Sequence, residues 1–143
     1  MLHFVPALGR LLIAAIFLLS GVGKIAAPAA TQGYIASTGL SFPLVAYLIA
    51  IVVEVGGGLL LVAGFHTRVV ALALAAFTLA TAITFHTAFG DQNQMIHFMK
   101  NLAIVGGLLQ VAAFGAGSLS LDARRSRIGT PVLECGTELA MRR

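Results

Sequence analysis

Charged side chains are scarce in this sequence. Of its 143 residues, 10% are charged and 59% are hydrophobic, whereas a soluble globular domain has about 25% charged residues. A soluble core of this size could not bury so much apolar surface, so the composition indicates one integral membrane domain. The net charge of +4 indicates membrane topology and not nucleic-acid binding, because the basic residues cluster at segment ends and in the C-terminal tail.

Cysteine is almost absent as well. Cys135 stands alone, so no disulfide can form within the chain, and neither a C-x-x-C redox motif nor a C-x-x-C-H haem-attachment motif is present. We expect Cys135 to be a plain thiol of the tail. No cofactor motif or catalytic constellation is evident elsewhere, so the sequence argues against an enzyme activity of its own.

Four apolar segments are present, against the roughly 20 residues needed to cross a bilayer. Backbone amides in lipid need internal partners, and the alternating pattern of a barrel is absent, so the segments predict helices. Helices one to four are predicted at residues 5–23, 44–64, 69–85 and 95–115. The predicted fold is an all-α, four-helix membrane bundle over residues 1–121, followed by a basic cytoplasmic tail, 122–143.

The connections between the helices differ in length and character. Residues 65–68, "FHTR", predict a tight turn, and residues 86–94, "HTAFGDQNQ", predict a polar loop. Between helices one and two, Pro28 and Gly39 bracket about ten residues, as proline and glycine do at the two ends of a helix. We predict a short helix there that lies in the membrane interface, with Tyr34 and Ile35 facing lipid.

The lysines and arginines predict the orientation. By the positive-inside rule, both termini and the 65–68 turn face the cytoplasm, while the short helix and the 86–94 loop face outward. The inner set is Arg10, Arg68, Arg124, Arg125, Arg127, Arg142 and Arg143, and the outer set is Lys24 and Lys100. A cleaved signal peptide ending at the A-x-A of residues 27–29 is the alternative for the first segment, but a lysine between core and cleavage site is unusual.

Ionisable residues inside the apolar segments are candidates for function. Glu54 lies near the middle of helix two, where an ionised carboxylate is costly, so it should be neutral or face a cation. We predict Arg10 as its partner, ahead of Lys24 and Lys100, which lie nearer the outer surface and could also snorkel to the head groups. The pair either fixes helix packing or handles protons, and both interpretations stay open.

The outer ends of the helices predict a polar mouth. It would contain Lys24, Lys100 and Asn101, with His86 and His97 beside them and Asp91 in the loop above. The two histidines and the aspartate lack the fixed spacing of metal ligands, so no metal site is predicted.

Three stretches together resemble the DoxX family of small bacterial inner-membrane proteins. They are "GRLLIAAIFLLSGVGKI", "IVVEVGGGLLLVAGFHTR" and "FHTAF…QMIHFMKNLAIVGGLLQVAAFGAGSLSLD". The resemblance covers residues 4–122 and includes Arg10, Gly21, Lys24, Glu54, Gly64, Lys100, Asn101, Gly107 and Asp122. It implies a four-helix membrane domain linked to redox metabolism. Namesake relatives are subunits linked to a thiosulfate:quinone oxidoreductase, and other members resemble membrane partners of enzymes that handle oxidative and thiol stress.

Three functions stay open at this point. The first is a non-catalytic auxiliary or anchoring subunit for a respiratory or redox-stress complex, in contact with the lipid bilayer and a membrane or periplasmic oxidoreductase. The second is a quinone-linked subunit in which Arg10, Lys24, Glu54 and Lys100 line a quinone pocket, because burial raises a carboxyl pKa toward neutrality. The third is a small-solute or proton pathway, in a single chain or in a homo-oligomer.

Overall fold

The computed structural model describes residues 3–128, which contain helices and no strands. The helices are α1 (Val5–Ala26), α2 (Pro28–Ser37), α3 (Pro43–Ile51), α4 (Gly57–Ala63), α5 (Thr67–Phe85), α6 (Gln92–Phe114) and α7 (Leu121–Ile128). A π-helical turn, Val52–Gly56, joins α3 to α4, so that Pro43–Ala63 is one continuous span. Together with α1, α5 and α6 it gives four helices long and apolar enough to cross a membrane, which confirms the four predicted spans.

The four spans form two packed pairs. α1 lies along the Pro43–Ala63 span, and α5 lies along α6. The core between them contains Ala14, Phe17, Leu61, Leu74 and Leu108. Glycines bring α1 and the Pro43–Ala63 span together, as small residues do between membrane helices. A Cβ atom added at Gly58, for example, would lie 2.9 Å from a methyl carbon of Leu18.

Arg10 links several segments by hydrogen bonds at the end of the bundle where α1 and α5 begin, which we call the Arg10 end. Its side chain is only 2% exposed. Nη1 donates to the carbonyl oxygens of Leu61 (2.9 Å) and Val62 (3.3 Å), and Nη2 donates to that of Leu119 (2.6 Å). The last carbonyls of a helix have no partner within it and carry partial negative charge. The guanidinium therefore satisfies the C-terminus of α4 and holds the segment before α7 against α1.

Asp122 joins α7 to the bundle at the same end. Its carboxylate accepts hydrogen bonds from the backbone N–H groups of His66 (2.8 Å) and Thr67 (2.9 Å), and its own N–H donates to the carbonyl of Gly64 (2.9 Å). Gly64 has the left-handed φ of 65° that ends α4. The first residues of the predicted tail thus form a helix that contacts the bundle, while the domain boundary stays a prediction. The predictions for Cys135, Arg142 and Arg143 fall outside the described residues.

Replacing Asp122 with asparagine is expected to lower the free energy of unfolding by about 1–2 kcal/mol at pH 7, because the amide offers one neutral oxygen in place of two charged ones and hydrogen bonds to charged groups are the stronger. Burial raises the pKa of Asp122, but the backbone hydrogen bonds from Thr67 and His66 lower it by more than burial raises it. The pKa therefore lies below its ordinary value of 3.8. A carboxyl with a lowered pKa stabilises the fold above its unfolded pKa, and loses that contribution as the pH falls through its folded pKa. Unfolding in detergent, followed by circular dichroism, should therefore show a deficit at pH 7 that shrinks in strong acid. An equal deficit at both pH values would contradict the role of the charge.

The opposite end of the bundle, which we call the Lys24 end, is covered by α2. This confirms the predicted short helix, but the predicted exposure of Ile35 is wrong, since only 5% of it is exposed. The reason is that α2 folds over the bundle, where the ring of Tyr34 stacks on that of Phe85 with centroids 5.6 Å apart. Its inward face therefore carries Ile35. Tyr47, 8% exposed, lies below and donates from its hydroxyl to the carbonyl of Lys24 (3.4 Å).

Candidate functional site

A cavity of about 420 Å³ lies in the Lys24 half of the bundle, beneath α2. Side chains from α1, α2, α3, α5 and α6 and from the π turn line it, and most of the lining is apolar. Its polar lining residues are Ser20, Lys24, Thr31, Tyr34, Glu54, Thr78, Thr81, Thr84, His86 and Asn101. Ile16 and Ile49, which also line it, are 47% and 53% exposed. The cavity therefore opens sideways, onto the surface that lipid covers.

An ion pair forms one wall of the cavity. Glu54 is 6% exposed, and the Nζ atom of Lys24 lies 2.8 Å from each of its carboxylate oxygens. Lys24 also donates to the hydroxyl of Ser20 at 2.7 Å. Glu54 thus faces a cation of α1, as predicted. The prediction that this cation is Arg10 is wrong, because it is Lys24.

The direction in which helical side chains lean explains the choice of Lys24. Side chains tilt toward the N-terminus of their own helix. Because α1 and the Pro43–Ala63 span are antiparallel, Lys24 leans from the Lys24 end toward Glu54, and Glu54 leans back toward Lys24. Arg10, about 21 Å further along α1, leans away from both, toward the carbonyls that it binds.

The π-helical turn places Glu54 in an irregular stretch of backbone. Glu54 is the middle residue of the turn, Val52–Gly56. Such turns are rare within α-helices and frequently mark functional sites. Gly21 of α1 lies directly opposite, since a Cβ atom added there would be 2.6 Å from Cγ2 of Val55 and 3.4 Å from Cβ of Glu54. The absence of a side chain at Gly21 therefore lets the turn approach α1.

The two polar candidates of α6, Lys100 and Asn101, have different surroundings. Asn101 is partly buried and lines the cavity, whereas the neighbouring Lys100 is exposed and does not. Lys100 also leans toward the N-terminus of α6, which lies at the Lys24 end, and so away from Glu54. The structure thus brings Lys24, Glu54 and Asn101 to one cavity and leaves Arg10 and Lys100 outside it.

The predicted polar mouth is only partly assembled. The rings of His86 and His97 stack with centroids 5.2 Å apart, and Nδ1 of His86 lies 2.8 Å from Oε1 of Gln94. His86 also lines the cavity. Asp91 instead caps α6, because its carboxylate accepts from the N–H of Asn93 at 2.8 Å. Within residues 3–128 no three potential metal ligands come together.

Several residues in and around the site, among them Thr31 and Thr84 in the lining, were not predicted from the sequence. Ser20 stands one helical turn before Lys24, a spacing that brings two side chains of a helix together, so this signal was available. Tyr47, buried beneath α2, and the π turn around Glu54 have no comparable signature in the pattern of apolar residues.

The lining suits a ligand with a polar head and an apolar body. The Asn101 amide is a hydrogen-bond donor. The Glu54 carboxylate, held in place by Lys24, has further lone pairs that accept hydrogen bonds. Ligand pockets of small molecules are commonly about 300–1,000 Å³, mostly apolar, with a few polar groups that fix orientation. An apolar tail would leave through the lateral opening beside Ile16 and Ile49.

Comparisons with known proteins agree with a membrane assignment. The DoxX family profile matches residues 5–87, the part of the chain that contains Arg10, Lys24 and Glu54. The chain is 43% identical over 116 residues to Inner membrane protein YqjF of Escherichia coli, covering 79% of this chain and 85% of that relative. It is 38% identical over 122 residues to Inner membrane protein YphA of Escherichia coli, covering 82% and 87%. No solved structure matches.

Proposed function

The chain belongs to the DoxX family and is an integral inner-membrane protein, and we propose that it is an auxiliary subunit that binds the head group of a membrane quinone. The observation that carries this proposal is the cavity beneath α2, which has the Lys24–Glu54 ion pair in its wall and opens toward lipid.

The chemistry of a quinone fits the lining. The head group is a flat, largely apolar ring with two carbonyl oxygens, which accept hydrogen bonds from a donor such as the Asn101 amide, whereas the three N–H groups of Lys24 are directed to Glu54 and Ser20. In the reduced form these oxygens become hydroxyls, which donate to an acceptor such as Glu54. The isoprenoid tail of a quinone belongs in the bilayer, and the lateral opening leads there. Reduction of a quinone takes two electrons and two protons, and we assign the supply of electrons to a partner oxidoreductase.

Packing in the other half of the bundle favours binding over transport. Leu61, Leu74 and Leu108 are almost fully buried there, and the residues that line the cavity do not extend past this layer to the Arg10 end. The described residues of one chain thus offer a pocket closed at one end, and not a path across the membrane. The positive-inside rule supports an orientation with the Arg10 end in the cytoplasm and the cavity in the outer leaflet.

Purification from native membranes in mild detergent, followed by mass spectrometry of the extracted lipids, tests the proposal. Under anaerobic, reducing conditions we expect wild-type protein to retain about one quinol per chain, and Glu54→Gln to retain about tenfold less, since the hydroxyl of the reduced head group donates to Glu54 and a hydrogen bond to a charged group contributes about 1.5–3 kcal/mol. Titration of the purified protein with a short-chain ubiquinol should show the same difference in Kd.

Asp122→Asn is the matched control, because it makes the same carboxylate-to-amide change at the opposite end of the bundle, outside the cavity. It should retain quinol as wild type does. Circular dichroism checks that both variants are folded. Folded Glu54→Gln protein that retains quinol at the wild-type level, or wild type that neither retains nor binds any, would refute the proposal and leave the ion pair a packing element.

A further inference from the structure

A second cavity, of about 460 Å³, lies at the Arg10 end, between the start of α5, the segment after α6, and α7. Its lining includes Thr67, Arg68 and Val69 on one side and Gly115, Ser120 and Ser126 on the other. We propose that this groove binds the phosphate diester of an anionic phospholipid head group. The inference concerns the opposite end of the bundle from the quinone cavity and does not depend on it.

The electrostatics of this end favour an anion. Of the seven lysines and arginines among residues 3–128, five lie here: Arg10, Arg68, Arg124, Arg125 and Arg127. Arg68 stands in the wall of the groove and lies across the backbone of Gly115, where an added Cβ atom would be 3.6 Å from its Nε. The groove also contains the carboxylate of Asp122, but its oxygens already accept two backbone N–H groups. Among residues 3–128, the arginines at this end therefore outnumber its one carboxylate, Asp122.

The depth of the groove matches that of lipid head groups. It lies where α5 begins and α6 ends, and therefore level with the ends of two membrane spans. Basic pockets between helices at such a level are known head-group sites. Val69, in the wall, is 67% exposed, and Phe114, at the end of α6, is 81% exposed. These two side chains offer apolar surface to the acyl chains of a lipid whose phosphate lies in the groove.

The groove is held in shape by the fold. Asp122 fixes the start of α7 to α5, and the guanidinium of Arg125 lies 5.3 Å from the centre of the Phe65 ring. Arg124 and Arg127, on the same short helix, are exposed. Because α7 is already docked, little conformational entropy is lost when an anion binds, which favours affinity. A free phosphate shares this chemistry, but the exposed apolar side chains beside the groove favour a lipid.

Phosphatidylglycerol retention tests the assignment. The full chain is placed in nanodiscs of phosphatidylcholine with a minor fraction of phosphatidylglycerol, and the lipids kept after transfer to detergent are counted by native mass spectrometry. We expect wild type to retain phosphatidylglycerol preferentially. Arg68→Gln should reduce that preference by about fivefold, the effect of one basic residue near a membrane surface. Lys100→Gln, which removes one exposed cation at the other end, should leave it unchanged.

The double variant Arg124→Gln/Arg127→Gln keeps the proposal falsifiable if Arg68→Gln does not fold, since it should also lower retention. Equal retention in wild type, in these variants and in Lys100→Gln would overturn the proposal. Inorganic phosphate that displaces phosphatidylglycerol at millimolar concentration in detergent would overturn it in favour of a soluble anion.

Discussion

Arg10→Met is expected to lower the free energy of unfolding by about 3–5 kcal/mol, because three hydrogen bonds from a charged donor would be lost. The guanidinium is 2% exposed and donates to three carbonyl oxygens, those of Leu61, Val62 and Leu119. Methionine fills a similar volume but donates nothing, so the carbonyls of Val62 and Leu119 would lose this donor, and that of Leu61 would keep the N–H of Gly64 at 3.3 Å. Each hydrogen bond to a charged group contributes about 1.5–3 kcal/mol. Titration with sodium dodecyl sulfate, followed by circular dichroism, measures the change.

Two further variants test whether the loss of stability in Arg10→Met comes from the geometry of the guanidinium. Arg10→Lys keeps the charge but loses the planar fork that reaches carbonyls of two segments, so we expect it to fall between wild type and Arg10→Met. Lys100→Met removes an exposed cation and should change the free energy by no more than about 0.5 kcal/mol. If Arg10→Met were as stable as Lys100→Met, the three hydrogen bonds would not stabilise the fold.

Lys24→Met is expected to destabilise the bundle by about 3 kcal/mol, whereas Glu54→Gln should cost about half as much. The difference follows from where the two residues lie. Glu54 is in the middle of its span and 6% exposed, so without Lys24 it must be desolvated unpaired or take up a proton. Lys24 is two residues from the end of α1, with 25% of its side chain exposed, so without Glu54 it can turn to the membrane surface. The same titration measures both variants.

The double variant Lys24→Met/Glu54→Met, measured with Lys24→Met and Glu54→Met as the two single changes, decides how much of this effect is pairwise. Replacing a buried ion pair by apolar residues of similar size is often neutral or stabilising, so we expect the double variant to be more stable than Lys24→Met alone. The coupling energy of such a cycle is commonly about 0.5–3 kcal/mol for residues in contact. If the effects of the two single changes on the free energy of unfolding simply added, the ion pair would be energetically unimportant.

The spans were predictable because lipid imposes a strong constraint on sequence. A run of about 20 apolar residues has few alternatives to a membrane helix, and all four predicted spans are present. Helical periodicity also indicates which face of a helix points inward, since Arg10, Ala14 and Phe17 share one face of α1 and all three are buried. Periodicity predicts on which face of a helix a residue lies, but not how that helix is shifted along its neighbour. It therefore does not predict which residues of two helices meet.

The partner of Glu54 shows this limit. Arg10 and Lys24 share one face of α1, so the choice between them depends on how far the antiparallel span is shifted along α1, which no short-range pattern records. The lean of side chains toward the helix N-terminus was the available clue, since it turns Lys24 toward Glu54 and Arg10 away. Ile35 was missed for a similar reason, because its burial depends on how α2 folds across distant residues such as Phe85.

The π turn around Glu54 has a consequence for changes in chain length. A π turn amounts to one residue inserted into a regular helix, and it is frequently found at sites under functional constraint. Because the wider π turn absorbs the extra residue, removing one residue from Val52–Gly56 would restore a regular α-helix and leave the two halves of the span facing as they do now. A residue removed from the regular helix between Gly58 and Leu61 would instead rotate one part of the span against the other by about 100°, and Leu61 would leave the interface in which it is now buried. Natural variation in the length of this span should therefore fall in the turn and not in α4.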